Sequence, residues 1–296
     1  MKKVVRMLGL CALVALAFTA CKKDDTQKVT FTANVAQPIN DTRTQTSQFG
    51  AFLVWNDNDV INVFNADGEE MDFTAQSSTG LPGNATFTAS TAEEIAFVKD
   101  LENANFPYTA FYPNATVNEE TGKVNLVIPA EQVYYPQRNF APELYPMVGW
   151  NNGTTQFDFV SNAGMLNVSF TKLDSLADVY VDELVLTTNN PVDDPDLLTG
   201  TMVYDKDGGN YQFVGEGNQV VLRTGTPRDL DYEQARDFTF VLPAGALHSG
   251  FTLQVKLNGE VLETYEAQPK PANVIEAQKF TTIAAVSLPK PPAPTK

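Results

Sequence analysis

The sequence predicts an all-β protein of sandwich or barrel type, and three observations carry that expectation. Apolar and polar residues alternate with period two in short runs. Gly, Asn, Asp and Pro break those runs about every eight to twelve residues. The breaks carry turn chemistry: Ala66-Asp67-Gly68, Thr121-Gly122, Asp207-Gly208-Gly209 and Asn258-Gly259.

Taken in order, the candidate strands are VTFTANV (29–35), FLVW (52–55), VINVF (60–64), NATFTA (84–89), YTAFY (108–112) and KVNLVI (123–128). They continue with MLNVSF (165–170), VDELVLTT (181–188), NQVVLR (218–223), DFTFVL (237–242), FTLQVKL (251–257) and KFTTIAAVSL (279–288). One stretch has helical period instead. In STAEEIAFVKDLEN (90–103), Ser90 and Glu93 stand in the capping-box relation, and Ile95, Val98 and Leu101 share a face, which predicts a helix lying over a sheet. The polar, glycine-containing run WNNGTTQFDFVSNAG separates two strand-rich halves. The expected organisation is therefore residues 1–20 as a signal, 21–27 as a tether, 28–160 and 161–288 as two β-sandwiches, and 289–296 as a proline-rich tail. No repeat of solenoid or propeller length is present.

The N-terminus has its own logic. Lys2, Lys3 and Arg6 precede an apolar stretch, Met7 to Ala20, that is too short to span a bilayer, so it reads as an export signal. Thr19 and Ala20 are small residues placed just before Cys21, as a peptidase cleavage site requires. The segment resembles a lipoprotein signal peptide, with Phe18 where such signals more often carry Leu. That resemblance implies that the Cys21 thiol is acylated, palmitate being one such chain, and becomes the new N-terminus on the outer membrane. Each buried methylene contributes about 0.8 kcal/mol, so a multiply acylated cysteine holds a chain firmly. Lys22, Lys23, Asp24 and Asp25 then resemble the lysine-plus-acid signal of surface-exported lipoproteins in Bacteroidetes-type bacteria; a short tether is the alternative. Cys11 and Cys21 are the only cysteines, so no disulfide is expected and stability must come from the core.

Charge excludes nucleic acid as a partner. The chain has 20 Lys and Arg against 36 Asp and Glu, net charge −16, and its basic residues are scattered singly, with no stripe to follow a phosphate backbone. Dispersed acids such as Glu69-Glu70, Glu93-Glu94 and Asp193-Asp194 read as a solvated surface.

Constellations for catalysis are scarce, and no enzymatic activity and no cofactor are expected. His248, the single histidine, sits in the loop GALHSG, and no thiol is left after Cys21 for a Cys-His pair. Zinc would have at most one imidazole. Among the many acids no pair can be singled out for glycoside cleavage. In DKDGGN (205–210), Asp205, Asp207 and Asn210 surround a glycine turn as calcium ligands do, but the late glutamate of an EF-hand is missing and a hairpin turn explains the same residues. Trp55, Trp150, Tyr134, Tyr135 and Tyr145 would stack sugars if exposed and form core if buried.

The succession of VTFTANV, TRTQT, VWNDNDVINVF, YTAFYPNATVNEETGKVNLVIPAEQ, NAGMLNVSF, FVLPAG and GFTLQVKLNG resembles the fimbrillin-like proteins, the type V pilins. The most similar elements are Trp55, Asp59 and Ile61; Tyr112-Pro113; and Ile128-Pro129 with Gln132. The resemblance implies two tandem transthyretin-like β-sandwiches in a cell-surface structural or adhesive protein. It also implies assembly with other fimbrial subunits by strand exchange: a protease cuts after Arg43, the strand Val29 to Val35 leaves its groove, and a neighbour supplies a replacement, with Phe280 to Leu288 as the expected donor. Asp174-Ser175-Leu176 matches a short O-glycosylation pattern. The alternative from another class is a glycan-binding surface lipoprotein feeding an outer-membrane importer, which would share the anchor but need exposed aromatics.

Overall fold

The computed structural model describes residues 28–35, 39–40, 55–76, 83–113, 115–135, 140–173, 179–189, 192–193, 195–231, 235–270 and 274–288. The export signal, Cys21, Lys22, Lys23, Asp24, Asp25, Arg43, residues 174–176, the proline-rich tail and most of FLVW lie outside them. The protein is all-β. Its first strands are β1 (Val29–Val35), β2 (Ile39–Asn40), β3 (Val60–Phe64), β4 (Glu70–Thr74) and β5 (Asn84–Ala89), followed by helix α1 (Ala92–Phe97). Next come β6 (Thr109–Tyr112), β7 (Thr116–Asn118), β8 (Lys123–Ile128), β9 (Glu131–Val133), β10 (Met147–Asn151) and β11 (Gln156–Val160). The remainder are β12 (Ala163–Lys172), β13 (Tyr180–Thr188), β14 (Thr199–Tyr204), β15 (Tyr211–Gly217), β16 (Gln219–Asp229), β17 (Arg236–Pro243), β18 (Phe251–Leu257), β19 (Glu260–Ala267) and β20 (Lys279–Leu288). No helix among the described residues is long and apolar enough to cross a membrane.

A seven-stranded sheet runs β4-β3-β6-β10-β11-β1-β5. It curls until its two edges meet, where Ala75 bridges Phe87 and the Gln76 amide donates to the Thr86 carbonyl at 2.8 Å. Curling encloses an aromatic core of Phe31, Trp55, Phe73, Phe87, Phe157 and Phe159, all 4% exposed or less. Directly opposed side chains of neighbouring strands share the same space, so a large ring can take the place of its partner's side chain. Gly149 on β10 therefore faces Ala110 on β6 and Phe159 on β11, and a methyl group there would lie 2.7 Å from the Phe159 ring. The other face of this sheet carries Phe111 and Val148 and is covered by a four-stranded sheet, β15-β14-β8-β7, through Tyr204, whose ring meets Phe111 at 5.6 Å.

A four-stranded sheet, β17-β12-β20-β2, and a five-stranded sheet, β19-β18-β13-β16-β9, enclose a second core around Leu166, Leu184, Leu186, Phe238 and Phe240. Alternate residues of β12, β17 and β20, namely Met165, Val241 and Phe280, point the other way into the first core. The two cores thus share a sheet. Chain order crosses between them as well: β14 pairs with β8, while β9 pairs in parallel with β16. Residues 150–162, which read as a connector, hold the end of β10 and all of β11, two inner strands of the large sheet joined by a polar turn.

The helix is shorter than its sequence period suggests and is capped one residue later. Thr91, not Ser90, is the N-cap: its hydroxyl accepts from the Glu94 amide at 3.1 Å, and the Glu94 carboxylate accepts from the Thr91 amide at 2.9 Å. The same carboxylate accepts from the Ser90 amide at 2.6 Å, so Glu94 does the work expected of Glu93. These bonds, the Ser90 amide first, hold the Glu94 carboxyl below the ordinary glutamate range.

Candidate strand-exchange site

Strand β1 lies inside the large sheet, antiparallel to β5 and parallel to β11. Its sequence places Phe31, Ala33 and Val35 on one side, all buried, and Thr30, Thr32 and Asn34 on the other. The Phe31 ring contacts Phe73 edge-on at 5.0 Å, Phe87 in a stack at 5.5 Å and Phe157 at 5.7 Å. Main-chain bonds do most of the rest. The Thr32 amide donates to the Thr155 carbonyl and the Val35 amide to the Gly83 carbonyl, each at 2.8 Å, while two longer side-chain bonds run from the Thr32 hydroxyl to the Thr155 carbonyl at 3.5 Å and from Asn34 to Asp158 at 3.4 Å. The contact is made mainly of backbone bonds and an alternating large-small-medium set of buried side chains.

Trp55 marks the end of this groove. Its indole N–H donates to the Gly83 carbonyl at 3.2 Å, the same carbonyl that receives the Val35 amide, and its ring meets Phe87, Tyr112 and Phe159. Asp59, the second residue of that motif, accepts from the Asn56 amide at 2.6 Å and fixes the turn that leads into β3; Ile61 is fully buried. Gln132 is fully buried too. Its side-chain amide donates to the Val241 carbonyl at 2.7 Å and accepts from the Val241 amide at 2.9 Å, so one side chain serves the edge of β17 as a neighbouring strand would.

Other sequence candidates lie elsewhere. Asp205, Asp207 and Asn210 form the turn between β14 and β15: the Asp205 carboxylate pairs with Lys123 and accepts from Asn210, and the Asp207 carboxylate accepts from the Gly209 amide at 2.9 Å. The turn is pinned to the large sheet by Trp150, whose indole donates to the Asp207 carbonyl at 2.9 Å, and by Lys206, which donates to the Gly68 carbonyl at 3.0 Å and lies over the Phe64 ring. These bonds account for the loop as a hairpin lock. Among the aromatic candidates, Trp55, Tyr134 and Tyr145 are core, Trp150 is half-buried and Tyr135 is exposed. Strand β20, the expected donor, runs parallel to β12 from Phe280 to Leu288 in its own molecule, with both end residues buried.

One cluster joins two loops that nothing in the sequence brings together, that of Asp196 and the His248 loop GALHSG. Asp196, 1% exposed, accepts from the Leu247 and Ser249 amides at 2.9 Å each and from the Ser249 hydroxyl at 2.8 Å, with His248 Nδ1 3.5 Å away. The serine hydroxyl is directed to the carboxylate and not to the imidazole, so the group clamps a loop and does not build a serine-histidine relay. Near the first core, burial, ahead of the charge of Asp72, raises the Glu70 carboxyl above its ordinary value. Burial also pushes the Tyr145 and Tyr204 hydroxyls up to about 12.

These features define an all-β protein whose large sheet curls round an aromatic core and includes β1 as an inner strand. Comparison with solved structures finds the same fold in a candidate cell adhesion protein from Bacteroides uniformis, with 14% identity, a TM-score of 0.53, and coverage of 89% of this chain and 94% of that one. A candidate cell adhesion protein from Bacteroides ovatus is similar at 13% identity and TM-score 0.47, covering 84% of this chain and 90% of the other. A fimbrial assembly protein from Parabacteroides distasonis is similar at 9% identity and TM-score 0.34, covering 86% and 90%. No protein-family profile and no curated protein matches the chain.

Proposed function

We propose that this chain is a surface-anchored, fimbrillin-like structural or adhesive protein, without catalytic activity, that joins other subunits by exchange of β1. The observation that supports it most is the way β1 is held: an N-terminal strand between two others, fixed by main-chain bonds and by Phe31, Ala33 and Val35. Its departure would expose unpaired backbone on β5 and β11 and an apolar groove, which favours entry of a strand from another chain. In this reading Cys21 carries the lipid anchor, residues 22–25 direct the chain to the cell surface, and cleavage after Arg43 frees β1. If β20 is the donor, it must first leave β12, which opens a second groove in the donating molecule. The structural neighbour from Bacteroides uniformis, described as a cell adhesion protein, fits a surface role. The glycan-binding alternative gains nothing from Trp55, Tyr134 or Tyr145, which are buried.

The test treats the purified chain beginning at Lys22 with an arginine-specific protease, sequences the new N-terminus and examines the product on a denaturing gel. A start at Thr44 with a detergent-resistant ladder is expected. An intact or trimmed monomer without a ladder would refute polymerisation, and Arg43→Ala should abolish both signals.

A further inference from the structure

Of the long edge strands β15, β17 and β19, β17 already has its Val241 main chain bonded by Gln132, and β15 and β19 have no described strand outside them. They differ in charge. Strand β19 carries Glu260, Glu263 and Glu266 with no basic residue, so pairing it with a copy of itself brings acids together. Strand β15, YQFVGEG, has one charge, Glu216, which sits in a bulge at its far end, and no proline or lysine; its regular stretch from Tyr211 to Gly215 has none of the residues that usually guard an edge. Its Tyr211 and Val214 side chains are 45% and 46% exposed.

Hydrogen-bond phase decides which groups face outward. The Asp205 amide bonds the Asn210 carbonyl at 3.1 Å, closing the hairpin. Bonded pairs alternate along an antiparallel ladder, so Gln212 and Val214 spend their main-chain groups on β14, and those of Phe213 and Gly215 point away from it. A second β15 laid antiparallel about Val214 meets those groups in register. Phe213 then stands opposite Gly215 of the copy, against which that copy's own Leu197 already lies, and Val214 stands opposite itself at a non-bonded, close-packed position; the β14–β15 ladder shifts register at Glu216, so the pairing is confined to Phe213, Val214 and Gly215. No like charges are opposed.

We propose that the outer edge of β15 is a self-association site, at which two copies of this chain pair β15 with β15 about Val214 and join their four-stranded sheets. It lies in a different sheet from β1 and needs no cleavage. Because the chain has net charge −16, salt strengthens the association by screening.

A chain beginning at Lys22 keeps every described residue and has no cysteine, so an introduced thiol is unique. In Val214→Cys the paired Cα atoms lie about 4.5 Å apart, within disulfide range. In Gln212→Cys the two copies sit about 13 Å apart. Mild oxidation is expected to give a covalent dimer of the first and leave the second a monomer. Val214→Lys, which sets like charges face to face, is expected to weaken self-association in sedimentation at least about fivefold with an unchanged melting curve. A Val214→Cys protein that stays monomeric, equal cross-linking of both cysteine variants, or unaltered association of Val214→Lys would each overturn the proposal.

Discussion

Gln132 offers the sharpest test of how the two cores are joined. Its side chain is fully buried and satisfies both main-chain groups of Val241, itself fully buried, at 2.7 and 2.9 Å. Truncation to Ala leaves a buried N–H and a buried C=O with no partner and little route to water. Each such group costs about 1–3 kcal/mol, so Gln132→Ala is expected to lower unfolding free energy by about 3–5 kcal/mol once the lost side-chain volume is included. Gln132→Glu separates the two bonds. A carboxylate still accepts from the Val241 amide but faces the Val241 carbonyl with repulsion, and protonation restores a donor. Its deficit should therefore be large at neutral pH and shrink as pH falls. Urea unfolding followed by circular dichroism measures both. A loss under about 1 kcal/mol for Ala, or a pH-independent deficit for Glu, would refute the role assigned to this residue.

Three further outcomes follow from single contacts. Gly149→Ala puts a methyl group 2.7 Å from the Phe159 ring and should destabilise by about 1–3 kcal/mol in thermal unfolding, with Gly149→Val worse. Partial desolvation of its carboxyl and then Asp72 raise Glu70, an exposed residue on β4, above its ordinary 4.5, so its ionised form opposes folding; Glu70→Gln should modestly stabilise the protein at neutral pH, with the gain fading below the raised value and absent below 4.5. Tyr145 and Tyr204 are held neutral up to about 12, above the ordinary 10.0, so stability present below that ordinary value is lost as pH rises toward 12, and ultraviolet titration should show both phenols ionising together with unfolding.

Much of the strand set was legible because burial on one face writes period two directly into the chain: β1, β3, β5, β8, β18 and β20 coincide with the predicted runs. Strands β4 and β11 were harder to read. EMDFT is mostly polar, and QFDFV sits in a run whose glycines and asparagines suggest a connector, though Gly149 beside it is small because Phe159 occupies its place. Pairing between distant segments had no local signal. Nothing in residues 199–217 says that they belong beside β8. The candidate site divides in the same way: the alternation of β1 gave its buried face, and the resemblance singled out Trp55 and Gln132, but their bonds to Gly83 and Val241 appear only in three dimensions. Asp196 accepts from a loop about fifty residues away, 51 to the Leu247 amide and 53 to Ser249, a link that composition cannot reveal.

The most direct measurement of the central claim uses the chain beginning at Lys22 after arginine-specific cleavage. A fluorescent peptide of residues 28–40 is added, and co-elution of the label with protein is followed by size exclusion, in parallel with the same peptide carrying Phe31→Asp. The native peptide is expected to displace the cleaved strand and occupy its groove, while the Phe31→Asp peptide stays free because its carboxylate would lie among Phe73, Phe87 and Phe157. Equal uptake of both peptides, or no uptake by protein whose new N-terminus is confirmed, would contradict a replaceable β1.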